Sequence, residues 1–367
     1  MALTAGIVGL PNVGKSTLFN AITKAGALAA NYPFATIEPN IGSVVVPDQR
    51  LYHIAEIVQP KKIVPTTFEF TDIAGLVKGA STGEGLGNQF LSHIREVDAI
   101  IHVVRCFEDD NVTHVDGGVD PLRDIETIDI ELIFSDLDIV EKRLPKIEKK
   151  AMLKVDEAMT KEYQVLKTIH ETLLDNQPIR SISLTEYERN LIKGYGFLTL
   201  KPVLYVCNIS EDDLTNQVMN VYAQRVIDHA QKERSEAILI SAKIESELSD
   251  ISDIDKAMFL EELGLNETGL DQLINKTYQL LGLQTFFTAG EKEVRAWTFK
   301  KGYTAPQCAG IIHTDFQKGF IRAETLHYDD LLKHQSMHQA KENGKMRSEG
   351  KTYIVKDGDI ILFRFNV

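Results

Sequence analysis

The chain has few cysteines and no segment suited to crossing a membrane. Its 3 cysteines are far apart in the sequence, with neither a CxxC pair nor a Cys/His cluster, which excludes a zinc-finger or disulfide scaffold. The odd number fits a reducing compartment. The best apolar run, Ala99–Val104, is much shorter than the roughly 18 residues that a membrane-spanning helix requires. No basic, apolar leader precedes the first motif, so we expect a cytoplasmic protein without a membrane function.

Basic residues are outnumbered by acidic residues. The 367-residue chain carries 40 Lys and Arg against 53 Asp and Glu, a net charge of −13. This charge argues against a general polyanion-binding protein, and no DNA partner is expected. The last 87 residues are an exception, because from Leu281 onwards 13 basic and 10 acidic residues give +3, which leaves −16 for residues 1–280. A basic binding surface is therefore expected in the C-terminal part.

What the chain does have is an ordinary globular composition, 43% hydrophobic and 25% charged, and a length that predicts two or three domains at about 150 residues each. Short apolar runs alternate with polar helical stretches over much of residues 1–280. This is the βαβ pattern, which predicts an α/β fold with a mostly parallel β-sheet flanked by helices. The runs predicted as strands are Leu3–Val8, Thr67–Thr71, Ala99–Val104, Val203–Cys207 and Ala237–Ile240.

The βαβ pattern pauses between residues 134 and 197, where the spacing of apolar residues predicts helices. Apolar residues recur there at Ile133, Leu137, Val140, Leu144 and Ile147, and with gaps at Val155, Ala158, Leu166, Ile169 and Leu173. Steps of three and four favour an α-helical insertion, a hairpin with a coiled-coil-like seam. Because the heptads are few, an ordinary amphipathic pair packed on the core is the alternative.

Residues 281–367 are predicted to form a separate small mixed β-sheet. The predicted elements are strands at Glu293–Phe299, Phe320–Leu326, Thr352–Val355 and Asp359–Phe365, a helix after Thr304 and a turn at 357–359. The chain is thus divided into an α/β domain of residues 1–133 and 198–280, a helical insertion of residues 134–197, and a C-terminal domain of residues 281–367.

Residues 9–16, with the sequence GLPNVGKS, match the phosphate-binding pattern GxxxxGK[ST] between a predicted strand and a predicted helix. The glycines allow backbone N–H groups to curl around a phosphate, and the helix N-terminus adds its dipole. Lys15 would neutralise the terminal phosphate charge, and the Ser16 hydroxyl would ligate Mg²⁺. The sequence therefore predicts a P-loop NTPase with Lys15 as a catalytic residue.

A second motif, DIAG at residues 72–75, follows the next strong strand. Asp72 is expected to hold the Mg²⁺ shell through water, and the Gly75 N–H to contact the γ-phosphate and sense its hydrolysis. Upstream, Thr36 lies on a loop from which a hydroxyl can complete that shell. Together with the P-loop these residues predict a two-state switch, with Ser16, Thr36 and Asp72 as magnesium ligands.

The base-reading segment departs from that of GTPases. Such proteins select guanine with N-K-x-D, whose Asp accepts two hydrogen bonds from the guanine edge, whereas residues 208–211 here read NISE. Glu211 is one methylene longer than Asp, and Ile209 replaces the lysine, which undermines guanine preference. Adenine is expected to lie against Ile209, with Asn208 or backbone groups reading its amino edge; alternatively, Asn208 caps the following helix. The last base-binding loop is expected at Ser241, Ala242 and Lys243.

Hydrolysis is predicted to be slow. Small GTPases place a water-orienting Gln directly after DxxG, whereas this chain has Leu76, which cannot polarise water. Turnover therefore needs a partner, a bound cation or another side chain. His114, in the loop of residues 109–118, is a candidate, with an ordinary loop histidine as the alternative. Asn12 is a candidate for holding a monovalent cation near the phosphates, although a simple loop role is favoured.

Taken together, these motifs resemble the YchF, or Obg-like ATPase, family of translation-factor-related P-loop NTPases. The resemblance spans the whole chain and rests on GLPNVGKST at 9–17, NYPFATIEPN at 31–40, DIAGLVKGASTGEGLGNQFL at 72–91, NISE at 208–211, SAK at 241–243, and FFTAGEKEVRAWTF and KGFIRAETL in the C-terminal part. The NxxE variant separates this family from the guanine-specific Obg proteins.

The resemblance implies an ATPase that sometimes also accepts GTP, with Mg²⁺, a helical insertion and a C-terminal TGS domain of the β-grasp type. It also implies binding to ribosomes, chiefly to the large subunit. Carried over by position, the nucleotide contacts are Asn12, Val13, Gly14, Lys15, Ser16, Thr17 and Ile209, the magnesium ligands are Ser16 and Thr36, and the catalytic histidine is His114.

The favoured function is a slow, Mg²⁺-dependent ATPase whose nucleotide state controls docking of the insertion and the C-terminal domain onto the ribosome, in translation or a stress response. A binding module that uses nucleotide only as a structural ligand is one alternative, and a guanine-preferring GTPase of ribosome assembly is the other. Candidate RNA contacts are Trp297, Phe299, Lys300, Lys301, Lys318 and Arg322. Their alternative role is in the core and the solvated faces of a small sheet.

Overall fold

The computed structural model describes residues 3–29, 41–73, 86–109, 118–153, 156–216 and 219–366. The predicted positions Thr36, Gly75, Leu76, His114 and Val155 lie outside these ranges. The chain divides into two compact units. The first contains mainly the residues up to Lys24 and Glu69–Leu273, and the second contains mainly Ser43–Phe68 and Ile274–Val367.

A mostly parallel sheet forms the centre of the first unit. From the N-terminus, the strands up to residue 240 are β1 (Thr4–Val8), β2 (Ile41–Val45), β3 (Ile63–Val64), β4 (Thr67–Asp72), β5 (Ala99–Arg105), β6 (Val203–Asn208) and β7 (Glu236–Ile240). The order in this sheet is β2-β4-β1-β5-β6-β7, and the pairs from β4 to β7 are parallel. All residues of β5 and β6 are buried, as in sheets covered by helices on both faces. The predicted α/β fold is confirmed.

Helices alternate with these strands. They are α1 (Lys15–Ala29), α2 (Gln49–Val58), α3 (Leu86–Glu96), α4 (Pro121–Met152), α5 (Glu157–Leu174), α6 (Glu186–Ile192), α7 (Glu211–Thr215), α8 (Val221–Lys232), α9 (Ala242–Leu248), α10 (Asp253–Glu262) and α11 (Gly269–Leu280), with 3-10 turns at Ile179–Ser181 and Lys193–Tyr195. Among the helices of the described ranges, none is long and apolar enough to cross a bilayer. Cys106, Cys207 and Cys308 are buried free thiols.

The predicted helical insertion is a hairpin of α4 and α5 with an apolar cluster of its own. α4 is 32 residues long and begins at Pro121, ahead of the predicted boundary at residue 134, because Pro is well suited to the first helical turn. Most of the predicted seam is confirmed by burial in this cluster, at Ile133, Val140, Ile147, Leu166, Ile169 and Leu173, with Leu137 and Leu144 packed against it. The prediction for Ala158 is wrong, since it is exposed in the first turn of α5, and Val165 joins the cluster instead.

Buried polar contacts hold the base of this hairpin. The Asp136 carboxylate of α4 is fully buried and accepts hydrogen bonds from the backbone N–H of Leu198 at 2.9 Å and of Thr199 at 2.8 Å. The Thr199 hydroxyl donates a third bond at 2.7 Å. Burial raises the pKa of Asp136 to about 6. These bonds satisfy two N–H groups that are buried where the chain returns from the hairpin towards β6.

Arg180, in the turn after α5, forms a second polar junction at the hairpin base. Its guanidinium pairs with Asp129 of α4 at 2.9 Å and with Glu233 at 3.0 Å, and the Tyr205 hydroxyl of β6 donates to Glu233 at 3.0 Å. Burial opposes ionisation of Glu233, but the hydrogen bond from His229 and the charge of Arg180 lower its pKa to about 2. The hairpin is therefore tied to the central sheet by paired charges as well as by apolar packing.

The second unit has a mixed sheet of its own. Its C-terminal elements are β8 (Leu283–Ala289), β9 (Val294–Lys300), α12 (Ala305–Ile312), α13 (Thr314–Lys318), β10 (Phe320–His327), α14 (Tyr328–His334), α15 (Met337–Glu342), β11 (Arg347–Glu349) and β12 (Asp359–Phe365). The strand order is β11-β10-β12-β8-β9-β3, with parallel pairing at β12–β8 and β9–β3. The predicted C-terminal β domain is confirmed; that it is of the TGS type stays a prediction.

Two predictions within this sheet are wrong. Of the strand predicted at Thr352–Val355, only Ile354 makes an isolated β-bridge. Phe299, predicted as an RNA contact, is 2% exposed and packs edge-on against Phe286 in the apolar core of the sheet, so it cannot stack on a base. Trp297 also stacks on Phe286, at a centroid distance of 6.3 Å, and is only partly exposed.

Ser43–Phe68 belong to the second unit, whereas the predicted division placed them in the α/β domain. Leu51 and Ile54 of α2 are buried in an apolar cluster with residues of the C-terminal sheet. β3 is the edge strand of that sheet and pairs with β9. Arg50 adds an ion pair with Asp357 at 2.6 Å. Backbone pairing, apolar packing and charge thus attach α2 and β3 to the second sheet, whereas β2 and β4, at the ends of this segment, belong to the first sheet.

Replacing Asp136 with Ala is expected to destabilise the first unit. The change leaves the buried N–H groups of Leu198 and Thr199 without their acceptor, and each such donor costs about 1–3 kcal/mol. We therefore expect urea denaturation to show a loss of about 2 kcal/mol or more in the free energy of unfolding. The matched control is Asp138→Ala on the same helix, where the side chain is 59% exposed, and its effect should stay within about 0.5 kcal/mol. Equal losses in the two variants would contradict the role of Asp136.

Candidate functional site

The predicted phosphate-binding loop lies at the carboxyl edge of the parallel sheet. It follows β1, which is flanked by β4 and β5, and it leads into α1, which begins at Lys15. The first helical turn is closed by a hydrogen bond from the Leu18 N–H to the Gly14 carbonyl at 3.0 Å. Ser16 and Thr17 are exposed. The N–H groups of this first turn have no partner within the helix, so they and the helix dipole suit a phosphate group.

The glycines of this loop are required by close contacts and by backbone conformation. Gly14 has a φ of 94°, and a Cβ added there would overlap the Nδ2 atom of Asn208. A Cβ added at Gly9 would lie 2.8 Å from the carbonyl oxygen of Val103. Asn12 also has a positive φ, 66°, a region that Asn tolerates better than most residues. The loop is therefore packed against β5 and the end of β6 rather than loosely exposed.

Lys15 and Asp72, predicted to serve the phosphate and the magnesium ion, form an ion pair with each other. Asp72 is the last residue of β4 and is in register with Ile7 of β1, which places it beside the phosphate-binding loop. The two side chains are 11% and 21% exposed. The Asp72 carboxylate and the exposed Ser16 hydroxyl are oxygen ligands, the type that Mg²⁺ prefers, so these residues fit the predicted ion.

Asn208, at the end of β6, joins the phosphate-binding loop to the predicted base-binding loop. Its Nδ2 donates to the Val13 carbonyl at 2.8 Å, and its Oδ1 accepts from the Ala242 N–H at 2.9 Å. The residue is 5% exposed. Both ends of the amide are engaged by the protein, which favours a role in holding the loops over reading the base. The alternative that Asn208 caps the next helix is wrong, because Ser210 accepts the capping bond of α7.

At the predicted base-binding end, the apolar groups are covered and the charged groups are accessible. Ile209 is 4% exposed and Ser241 is 1% exposed, so a contact of adenine with the Ile209 side chain is limited to a small edge. Glu211 and Lys243 pair with each other, with side chains 37% and 68% exposed. Their hydrogen bond raises the pKa of Lys243. Among the predicted base-binding residues, the two most accessible side chains therefore form an ion pair with each other.

Arg105 is a buried residue near the site that the motifs did not reveal. It ends β5 and is 2% exposed. Its guanidinium donates to the carbonyls of Phe107 at 3.1 Å and Asp109 at 3.3 Å, and it lies 4.7 Å from the centroid of the Phe107 ring. Arg105 thus organises the start of the loop in which His114 was predicted. A lone arginine at the end of an apolar strand was the only signal in the sequence.

A further group in the first unit offers atoms that could ligate a metal. Ligand atoms of Asp129, His229 and Glu233 lie within 4.8 Å of one another. Arg180 already pairs with both carboxylates, at 2.9 and 3.0 Å. The guanidinium therefore takes the place that a cation would have in this cluster, which serves to anchor the helical hairpin.

Comparisons with known proteins match both parts of the chain. Residues 283–366 match the family model YchF-GTPase_C, which is described as a protein of unknown function (DUF933). Residues 4–142 match a family described as 50S ribosome-binding GTPase. The first match covers most of the C-terminal sheet, and the second covers the phosphate-binding loop and the strands β1 to β5.

Full-length relatives extend these matches. The chain is 60% identical over 367 residues to the "Ribosome-binding ATPase YchF" of Bacillus subtilis and 55% identical to the protein of that name from Haemophilus influenzae, with 100% of each chain covered. It is 40% identical to a solved structure named "YchF GTPase" from Schizosaccharomyces pombe, with a TM-score of 0.89 over 99% of this chain and 97% of that one. The names of these relatives differ in the nucleotide that they state.

Replacing Gly14 with Ala is expected to weaken nucleotide binding. The added Cβ would overlap the Asn208 amide, and the positive φ costs a residue with a Cβ about 1–2 kcal/mol. We expect the Kd for an ATP analogue with Mg²⁺, measured by equilibrium titration, to rise about tenfold or more. The matched control is Gly194→Ala, since a Cβ there has no neighbour within 4 Å. Unchanged affinity in Gly14→Ala would show that the loop does not need this packing to bind phosphate.

Proposed function

The chain belongs to the YchF family, and from this membership and its phosphate-binding loop we propose that it is a ribosome-associated P-loop ATPase. In this proposal it binds ATP with Mg²⁺, hydrolyses it slowly and accepts GTP as a secondary substrate. Its nucleotide state would regulate translation or a stress response in the cytoplasm. The observation that carries the proposal is the ion pair of Lys15 and Asp72 beside the exposed Ser16, because a magnesium-bound triphosphate requires these groups together.

Residues of the loop would bind and orient the triphosphate. Backbone N–H groups at the start of α1 donate to phosphate oxygens, and Lys15 exchanges its partner Asp72 for the terminal phosphate. Asp72 and the Ser16 hydroxyl would then be the residues that hold the Mg²⁺ and its water shell. Mg²⁺ would neutralise the charge that develops on the transferring phosphoryl group. The Lys15–Asp72 pair thus keeps both residues in place until the nucleotide binds.

The residues that we propose for hydrolysis are identified from the sequence motifs. We propose Thr36 as the further magnesium ligand, the Gly75 N–H as the contact to the γ-phosphate, and His114 as the group that orients water. Leu76 stands where small GTPases have a Gln, so the unassisted rate is low. Arg105 supports the last assignment, because it organises the chain that leads towards His114.

The proposed partner is the large ribosomal subunit, contacted through the helical insertion and the C-terminal domain. On β10 and β12, Arg322 and Arg364 are direct cross-strand neighbours with exposed side chains. Glu324 accepts hydrogen bonds from both, at 3.1 and 3.0 Å. Two arginines that share one carboxylate leave a positive charge on this face, and arginine is well suited to phosphate. We propose this face as a contact to ribosomal RNA.

A guanine-preferring GTPase of ribosome assembly is the second candidate. It is favoured by the family description 50S ribosome-binding GTPase and by the name of the yeast structure. It requires Glu211 to accept hydrogen bonds from guanine, although Glu211 is paired with Lys243. The bacterial relatives named ATPase favour the first candidate.

The nucleotide preference is tested by titrating nucleotide-free protein with non-hydrolysable analogues of ATP and GTP in Mg²⁺ buffer. We expect ATP to bind about tenfold more tightly, a difference of about 1.4 kcal/mol. A tenfold preference for GTP would favour the assembly GTPase instead.

Lys15→Ala should reduce ATP hydrolysis to background, because the terminal phosphate loses its cation. Lys24→Ala is the control on the same helix, since Lys24 pairs with Asp250 at 2.8 Å and is 46% exposed.

The ribosome contact is tested by the double variant Arg322→Ala/Arg364→Ala in co-sedimentation with ribosomes at several salt concentrations. If the two arginines contact phosphates, affinity falls and the slope of log affinity against log salt decreases by about 1–2. Lys24→Ala is the control, since it removes an exposed cation of α1, outside both proposed contact regions, that pairs with Asp250 at 2.8 Å. A double variant with the parental affinity and slope would exclude this face as the RNA contact.

A further inference from the structure

The chemistry of the bases defines what a guanine-selecting site must present. Guanine offers a carbonyl acceptor at O6 and donors at N1 and N2, whereas adenine offers an amino donor at N6 and an acceptor at N1. A site selects guanine by giving O6 an N–H donor and giving N1 and N2 a carboxylate, and it loses that selection when those groups are engaged elsewhere. The question is therefore whether this chain has such groups and what they bind.

Both groups are present at the ends of β6 and β7, and each has a partner within the protein. The carboxylate is that of Glu211, which pairs with the ammonium group of Lys243. The backbone N–H is that of Ala242, which donates to the Asn208 carboxamide at 2.9 Å. Because β6 and β7 are parallel neighbours, with Asn208 in register with Ile240, the two loops leave the same edge of the sheet.

The ion pair differs from the Ala242 bond in how it can be broken. Ala242 is 3% exposed and its bond to Asn208 is part of the support for the phosphate-binding loop. Glu211 and Lys243 are partly exposed, so their pair can be separated without disturbing the core. Such exposed pairs contribute little to stability. The pair does bear on base selection, because Glu211 stands at the position from which the Asp of N-K-x-D proteins reads guanine.

We infer that Lys243 is a specificity-determining residue that acts through Glu211. Lys243 pairs with the Glu211 carboxylate, which would otherwise accept hydrogen bonds from N1 and N2 of guanine. This pairing therefore lowers the affinity for GTP relative to ATP. The inference rests on the proposed function in one respect, that the loops of residues 208–211 and 241–243 receive the base. It does not depend on which nucleotide the parent protein prefers, because the quantity at issue is the change in preference when the pair is broken.

The experiment measures Kd values for non-hydrolysable ATP and GTP analogues with Mg²⁺ in four full-length proteins: the parent, Lys243→Ala, Glu211→Ala and the double variant. In Lys243→Ala, the ratio of the Kd for GTP to the Kd for ATP should fall about two- to fivefold, within the range that an exposed ion pair can supply. In the double variant the gain for GTP should disappear, because the freed carboxylate is gone. Folding is not at risk, since both side chains are exposed at the surface.

The matched control is Lys142→Ala, which breaks another exposed Lys–carboxylate pair, with Asp138 at 2.7 Å on α4, and should leave both Kd values unchanged. Three results would overturn the inference: an unchanged ratio of the two Kd values in Lys243→Ala, an equal loss for both nucleotides, or a gain for GTP that persists without Glu211. A parent protein that prefers GTP would contradict the proposed ATPase, yet a shift of its ratio in Lys243→Ala would still support the role of the ion pair. The two failures are therefore distinguishable.

Discussion

The carboxamide of Asn208 is the contact on which the candidate site depends. It joins the Val13 carbonyl in the phosphate-binding loop to the Ala242 N–H in the base-binding loop, and it is almost fully buried. Gly14 has no side chain because that amide lies against it. One side chain thus fixes the spacing between the part of the site that holds phosphate and the part that meets the base. Neither loop can move without breaking a buried hydrogen bond, and losing such a bond destabilises the protein more than losing an exposed one.

Much of the fold could be predicted because it is encoded in local spacing. The strand–loop–helix around Lys15 and the buried runs of β5 and β6 are local patterns, and the structure contains them. The attachment of α2 and β3 to the second sheet could not be predicted, because periodicity shows that a segment is a strand or a helix but not which sheet it joins. The prediction for Ala158 was wrong for a related reason: the helical spacing continues towards the tip of the hairpin, where Ala158 is exposed.

In the candidate site too, the residues of local motifs could be predicted, whereas a contact between distant loops could not. Lys15, Ser16 and Asp72 were predicted from motifs whose residues act on one ligand, and the structure brings Lys15 and Asp72 together. The pairing of Glu211 with Lys243 depends on two loops that are neighbours only because β6 and β7 are adjacent strands, which the motifs do not state.

The polar base of the helical hairpin has a mechanical consequence. Apolar surfaces tolerate sliding, whereas Asp136 satisfies its three donors in a single arrangement, so the angle at which α4 leaves the sheet is set at its root. Beyond Pro145, α5 braces α4 through Ile147. At about 1.5 Å per residue, the tip of α4 lies roughly 24 Å beyond Asp136, and a tilt of about 10° at the root would carry the tip about 4 Å. The contacts of Asp136 at the root therefore determine where the far end of the hairpin lies.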